Sequence, residues 1–223
     1  MARLVTAAAL VMALCWPAGA QTPAETCRTG LGRTAVDACK AAIQSEPANI
    51  ELRRALARAF SRNADYGGAA ETYRDITLVA PQDPRGFYEY AAYLAFVRRY
   101  TDAVDPAEKA MALRPDNLPA YRLAAIVYSM VERPTDAFRV SLEAAKLGDS
   151  ISMYEVAEYY ADGTGTKVDP RRALEWMEKA AISGHVTAMD RMTEIYLDGK
   201  LGAPVDGKKA ELWATRAYKA RRE

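Results

Sequence analysis

Apolar and polar positions along this chain recur with the spacing of helices rather than strands. From Ile50, Leu56, Ala57 and Phe60 line one helical face, and Ala69, Tyr73 and Ile76 line a second, with Asn63, Ala64 and Asp65 as the turn between them. The arrangement returns from Pro84 with Phe87, Tyr90, Ala91 and Leu94, followed by Ala103, Ala107 and Ala110. It returns again from Leu118 with Tyr121, Ala124, Ala125 and Tyr128, followed by Ala137 and Ala144. Two ladders fix the register: Ala35, Ala69, Ala103 and Ala137 are spaced 34 residues apart, and so are Pro47, Pro81 and Pro115. A single helix pair cannot bury its apolar face alone, so such units must stack on their neighbours. The expected fold is all-α, an α-solenoid of antiparallel helix pairs.

The 34-residue ladder, with Tyr73 four residues after Ala69, resembles the tetratricopeptide repeat, which implies a right-handed superhelix. After Gly148 the punctuation changes. Tyr160, Gly163, Gly165, Asp169, Ala173, Trp176 and Gly184 form one unit, and Tyr196, Gly199, Gly202, Asp206, Ala210, Trp213 and Ala217 form another. The offset is 36 residues at Tyr160/Tyr196 and 37 at Asp169/Asp206, so one residue has been added to the second loop. These units resemble Sel1-like repeats. The expected organisation is a leader over residues 1–20, tetratricopeptide-like repeats over 21–148, and two Sel1-like repeats with a capping helix over 149–223.

Several helix starts are also legible. Thr22-Pro23-Ala24-Glu25 reads as cap, first-turn proline and capping-box glutamate, and Asp169-Pro170 and Asp206 read as caps. Thr101 and Thr135 are expected to cap their helices. Pro106 falls where a helix should run from Thr101, and a proline inside a helix costs ~3 kcal/mol. The expected remedy is a shorter helix, capped by Asp105, with Ala103 left in the turn.

The N-terminus changes the picture. Arg3, the apolar run Leu4 to Leu14 and Ala18-Gly19-Ala20 ahead of Gln21 read as a secretory signal peptide, with an apolar run shorter than the ~20 residues a spanning helix needs. Leu14 is too bulky to precede a lipid-bearing Cys15. An exported, periplasmic chain with no membrane insertion after cleavage is expected. The whole chain has 30 Lys plus Arg against 29 Asp plus Glu, and losing Arg3 with the leader brings the formal charge to zero. Such a chain has no long-range field for nucleic acid. Two cysteines remain, Cys27 and Cys39, both in the short first repeat. An oxidising compartment favours pairing them across a helix hairpin, and two buried free thiols are the alternative.

Catalytic and cofactor patterns are weak. Gly202 to Lys208 matches G-x-x-x-x-G-K, but Lys209 stands where a phosphate loop needs Ser or Thr, and helix precedes it instead of strand. His185 is the single histidine, too few for a histidine metal site. Glu155 and Glu158 read as part of a solvated helix face. No cofactor, no metal and no enzymatic activity are expected.

What remains is the inner surface. In tetratricopeptide arrays the first helix of each pair lines a concave groove through its second, fifth, ninth and thirteenth positions. The fifth positions here are Arg54, Tyr88 and Arg122; Arg58 and Arg62 continue the face of Arg54, while Phe96, Ile126 and Met130 add apolar surface. Guanidinium groups beside aromatics suit a carboxylate-bearing peptide. The alternative is arginines pairing with Glu51 and Glu89. The asparagines of the family's carboxylate-clamp members are missing, which leaves C-terminal-peptide specificity without support. The resemblance implies an exported adaptor or regulator of another protein, with a membrane sensor or envelope complex as partner. The competing class is an envelope enzyme of the cysteine-rich Sel1-like type, acting on β-lactams or peptidoglycan. Those proteins carry a cysteine pair in each repeat, and this chain does not.

Overall fold

The computed structural model describes residues 21–222; the expected signal peptide lies outside the described residues. Twelve α-helices and a short 3-10 turn make up the described residues, without a strand. They form consecutive pairs: α1 (Pro23–Thr29) and α2 (Gly32–Ser45), α3 (Ile50–Arg62) and α4 (Tyr66–Val79), α5 (Pro84–Phe96) and α6 (Tyr100–Leu113). Then follow α7 (Leu118–Met130) and α8 (Pro134–Lys146), α9 (Ser150–Asp162) and α10 (Pro170–Ile182), and α11 (Val186–Asp198) and α12 (Gly207–Ala220). The 3-10 turn, Lys200–Gly202, links the last pair. The fold is an α-solenoid. It divides between Ala69 and Ala70, within α4, into two compact units.

The two ladders have different physical roles. Ala35, Ala69, Ala103 and Ala137 are all fully buried. A methyl group at each of these positions lets neighbouring helices approach closely. Pro47, Pro81 and Pro115 are exposed and lie two residues beyond the ends of α2, α4 and α6, where proline stops a helix from continuing.

In the first unit, α1 begins with the capping box in full: the Thr22 hydroxyl accepts from the Glu25 amide, and the Glu25 carboxylate accepts from the Thr22 amide at 2.8 Å. Cys27 on α1 and Cys39 on α2 are bonded as a disulfide, with a Cα–Cα distance of 4.5 Å. Both are fully buried among Ala35, Val36, Leu52 and Leu56, so the bridge is part of the core of this unit.

In the second unit the helices from α5 to α12 pack each against the next. One core gathers Ala91, Ala107, Ala110, Ala124, Tyr128 and Val140. A second gathers Val156, Tyr160, Met177, Met192, Tyr196 and Trp213. The Tyr128 hydroxyl donates to Glu108, tying α7 to α6, and burial followed by that carboxylate pushes the phenol up to about 12.

Three local expectations are corrected. α6 runs unbroken from Tyr100 through Pro106 to Leu113. Ala103, Pro106, Ala107, Ala110 and Met111 are all buried along one stripe, and that stripe outweighs the lost backbone hydrogen bond. Thr101 and Thr135 lie inside their helices, which start one residue earlier, at Tyr100 and Pro134. The N-cap positions are Arg99 and Arg133, without a side-chain cap. Their Nε atoms donate instead to Asp102 at 2.7 Å and Asp136 at 2.8 Å, bringing an anion to the positive helix end.

Candidate functional site

The proposed inner-surface residues fall in both units. In the first, Arg54, Arg58 and Arg62 share a face of α3, but only two of them are open. Arg54 is 4% exposed and donates to Glu51 at 2.7 Å, so its guanidinium serves the helix itself. Arg58 is exposed; Arg62 is exposed and donates to the Gly30 carbonyl at 3.4 Å. A separate cleft of about 440 Å³ opens between α2 and the end of α3, lined by Arg33, Asp37, Lys40, Phe60 and Asp65. Its charges balance, and Lys40 lies over the Phe60 ring at 5.4 Å.

The second unit holds the rest. Tyr88 is half-buried and packs on the core below α5. Phe96 on α5, and Ile126 and Met130 on α7, are 70%, 53% and 53% exposed. Phe96 and Met130 hold the same place in successive repeats, so α5 and α7 each end on an exposed apolar residue. Arg122 is half-buried, with Nη1 4.0 Å from Asp149, the cap of α9. Glu89 is taken by Arg85 at 2.9 Å. Thus the pairing alternative holds for Glu51 and Glu89, although Arg85 is the partner of the second.

Moving along the first helices, the ninth and thirteenth positions change character. They are Ile126 and Met130 on α7, Glu158 and Asp162 on α9, and Glu194 and Asp198 on α11. Arg191 reaches Glu158 at 3.6 Å and Glu194 at 2.8 Å, which places α9 beside α11.

Between α7, α8 and α9 lies a polar cluster that the sequence reading missed. Glu155, expected on a solvated face, is half-buried and accepts from the Ser141 hydroxyl of α8 at 2.9 Å. Burial pushes its carboxyl above the ordinary 4.5; the Ser141 hydrogen bond opposes that, and Asp149 reinforces it. Asp149 accepts from both the amide and the hydroxyl of Ser152. Burial also raises the Tyr159 phenol. A polar pair i, i+3 on a helix gave no sign that one member faces another helix.

His185 caps α11, its Nδ1 accepting from the Ala188 amide at 3.1 Å, and its ring stacks on Tyr154 at 4.9 Å. Burial lowers its pKa from 6.5, with Asp149 acting in opposition. At the G-x-x-x-x-G-K segment, Asp206 accepts from the amides of Lys208 and Lys209. An internal carboxylate therefore fills the place an anion would take at the start of α12.

The family model of the Sel1 repeat matches residues 150–185 and 187–221, and that of the tetratricopeptide repeat matches residues 30–88. The chain is a repeat protein of the tetratricopeptide and Sel1 type. Chitin synthase regulatory factor 3 of Schizosaccharomyces pombe is 38% identical over 85 residues, or 38% of this chain, and the match spans 9% of that protein's length. A Sel1 repeat protein from Oxalobacter formigenes superposes with a TM-score of 0.58 at 22% identity, covering 83% of this chain and 78% of its own. YrrB, described as a tetratricopeptide protein with an unusual peptide-binding site, superposes with a TM-score of 0.56 at 17% identity, covering 85% of this chain and 95% of its own. At these identities the likeness is one of fold. Repeats of both kinds are generally protein-interaction modules.

Proposed function

We propose that this chain is an exported, periplasmic adaptor or regulator that binds a segment of another protein along the first helices of its second unit, the partner being a membrane sensor or envelope complex. The carrying observation is the exposure of Phe96, Ile126 and Met130, at positions that line the groove in the resembled family, with Phe96 and Met130 one repeat apart. Single exposed apolar residues are ordinary on a surface, but recurrence in register gives a peptide successive anchors. The relatives are consistent with this reading: one is named a regulatory factor and another a peptide-binding repeat protein. Export is supported by the apolar run ahead of Ala18-Gly19-Ala20.

The test is affinity purification from the native envelope with wild type and with Phe96→Glu/Met130→Glu, the helix content of both being checked by circular dichroism. Loss of specific partners from a folded variant is expected. Recovery of the same partners would refute the role of this surface. Reversing Arg54 is unsuitable as a probe, because a glutamate at this buried position would stand beside Glu51 in place of its ion pair. Arg58→Glu/Arg62→Glu tests any contribution of the first unit.

A further inference from the structure

Between α9, α11 and the turn Lys200–Gly202, wholly inside the second unit, lies a cleft of about 250 Å³. Its floor is apolar, made by Ala161, Met177, Ile195 and Leu201. Its rim is charged. Arg191 bridges Oε1 of Glu158 and Oε2 of Glu194, and Lys200 pairs with Asp198 at 2.7 Å. Two carboxylates and two cations line the opening, and Asp198, just outside the lining, adds a third carboxylate through its pair with Lys200. The second oxygen of Glu158 and of Glu194 has no hydrogen-bond partner among the described residues, so each can accept a further donor.

Leu201 supplies an independent observation. It holds φ 53° and ψ 28°, a left-handed conformation that is unfavourable for a branched side chain. In the preceding Sel1 repeat the loop turns at Gly165, at φ 68°, where an added Cβ would stand 2.1 Å from the Pro134 carbonyl oxygen. The preceding repeat therefore closes its loop against α8 with glycine. The last repeat, whose loop is one residue longer, places a leucine just before Gly202, packed against the core that includes Met177 and Ile195, where it forms one wall of the cleft. Surrounding structure must hold such a backbone, and residues kept there cluster at ligand clamps.

The volume lies below the roughly 300–1,000 Å³ of pockets for drug-sized ligands and suits a single side chain. The cleft also opens beside the ninth positions of α9 and α11, in the same row of first helices as Ile126. We propose that it receives one apolar side chain of a bound peptide whose adjacent residues are lysine or arginine, their cations meeting Glu158 and Glu194. This rests on the reading of the first-helix row as a peptide-binding surface and names the sequence class that surface would select.

The probes are three fluorescein-labelled peptides, Gly-Ser-Phe-Ser-Leu-Ser-Ser-Lys-Leu-Lys-Gly and its variants with Glu-Leu-Glu or Lys-Ser-Lys in place of Lys-Leu-Lys, titrated against the mature chain by anisotropy. The Lys-Leu-Lys peptide is expected to bind at least about tenfold more tightly than either variant, as loss of a buried apolar side chain or reversal of charge at a rim requires. Ala161→Phe, which fills the floor, should reduce its affinity to that of the Lys-Ser-Lys peptide. Glu158→Lys/Glu194→Lys, on the solvated rim and so independent of any misfolding in the filled variant, should reverse the charge preference. Equal affinities for the three peptides, no binding of the Lys-Leu-Lys peptide, or indifference to both variants would overturn the proposal. If Phe96→Glu weakens all three peptides while the cleft variants have no effect, the row binds peptides but the cleft does not select them.

Discussion

His185 and Glu155 show how individual side chains in this array have roles that their residue types alone do not announce. His185 accepts from the Ala188 amide as a neutral ring, and burial depresses its pKa below 6.5. Protonation thus removes the cap. Because the unfolded chain takes up the proton first, stability from this group is complete well above pH 6.5 and declines as the pH falls through 6.5 to the lower folded value. His185→Ala should cost about 1 kcal/mol in urea unfolding at pH 8, while His185→Asn should retain the cap and lose this pH dependence. Glu155 has the opposite sign. Its folded pKa is raised above 4.5, so a penalty present above the folded value is relieved as the pH falls toward 4.5. Glu155→Gln, which keeps an acceptor for Ser141 and removes the buried charge, should raise the thermal midpoint at pH 8. A lower midpoint would show that the charge itself is needed by its surroundings. Neither role was legible in the sequence. A histidine after glycine and a glutamate on a polar helix face acquire their partners from tertiary packing.

At the scale of the element, some helix boundaries were legible from short-range signals, while Thr101, Thr135 and Asp105-Pro106 misled. Thr22 with Glu25, Asp169 with Pro170, and Asp206 all cap as expected, because a cap is satisfied within three residues. The left-handed backbone of turns without glycine gave no sign in the sequence. Ala64, Arg98 and Glu132 hold left-handed conformations 34 residues apart, linking α3 to α4, α5 to α6 and α7 to α8. The repeat imposes that conformation on whichever residue occupies the position. Pro106 likewise remains in α6 because its helix is held by a buried stripe. Pro106→Ala restores the missing donor and improves helix propensity by up to ~3 kcal/mol, offset by loss of part of a buried ring, so a net gain of about 1 kcal/mol is expected in urea titration. The disulfide joins α1 to α2 across a sequence separation of 12. Replacing both Cys27 and Cys39 with alanine should destabilise the first unit by about 3 kcal/mol, measured by unfolding followed through probes in that unit.

For the whole molecule, the reading of an exported regulator predicts a mature chain beginning at Gln21, which N-terminal sequencing of protein recovered from the periplasmic fraction would check. A chain that retains Met1 in the cytoplasm would contradict export. The sequence by itself determined the period, the pairing of helices, the change from tetratricopeptide to Sel1 repeats and the buried alanine ladder. These follow from spacing along one helix and from recurrence between units, so they are written in residue order. The tertiary structure decided which side chains remain available to a ligand. It turned Arg54 toward Glu51, drew Glu155 to Ser141 across 14 residues of sequence, left Phe96, Ile126 and Met130 open, and set a cleft behind Leu201. Exposure and pairing depend on what the adjacent helix presents, and helical periodicity specifies the face of a residue without specifying its neighbour across the interface.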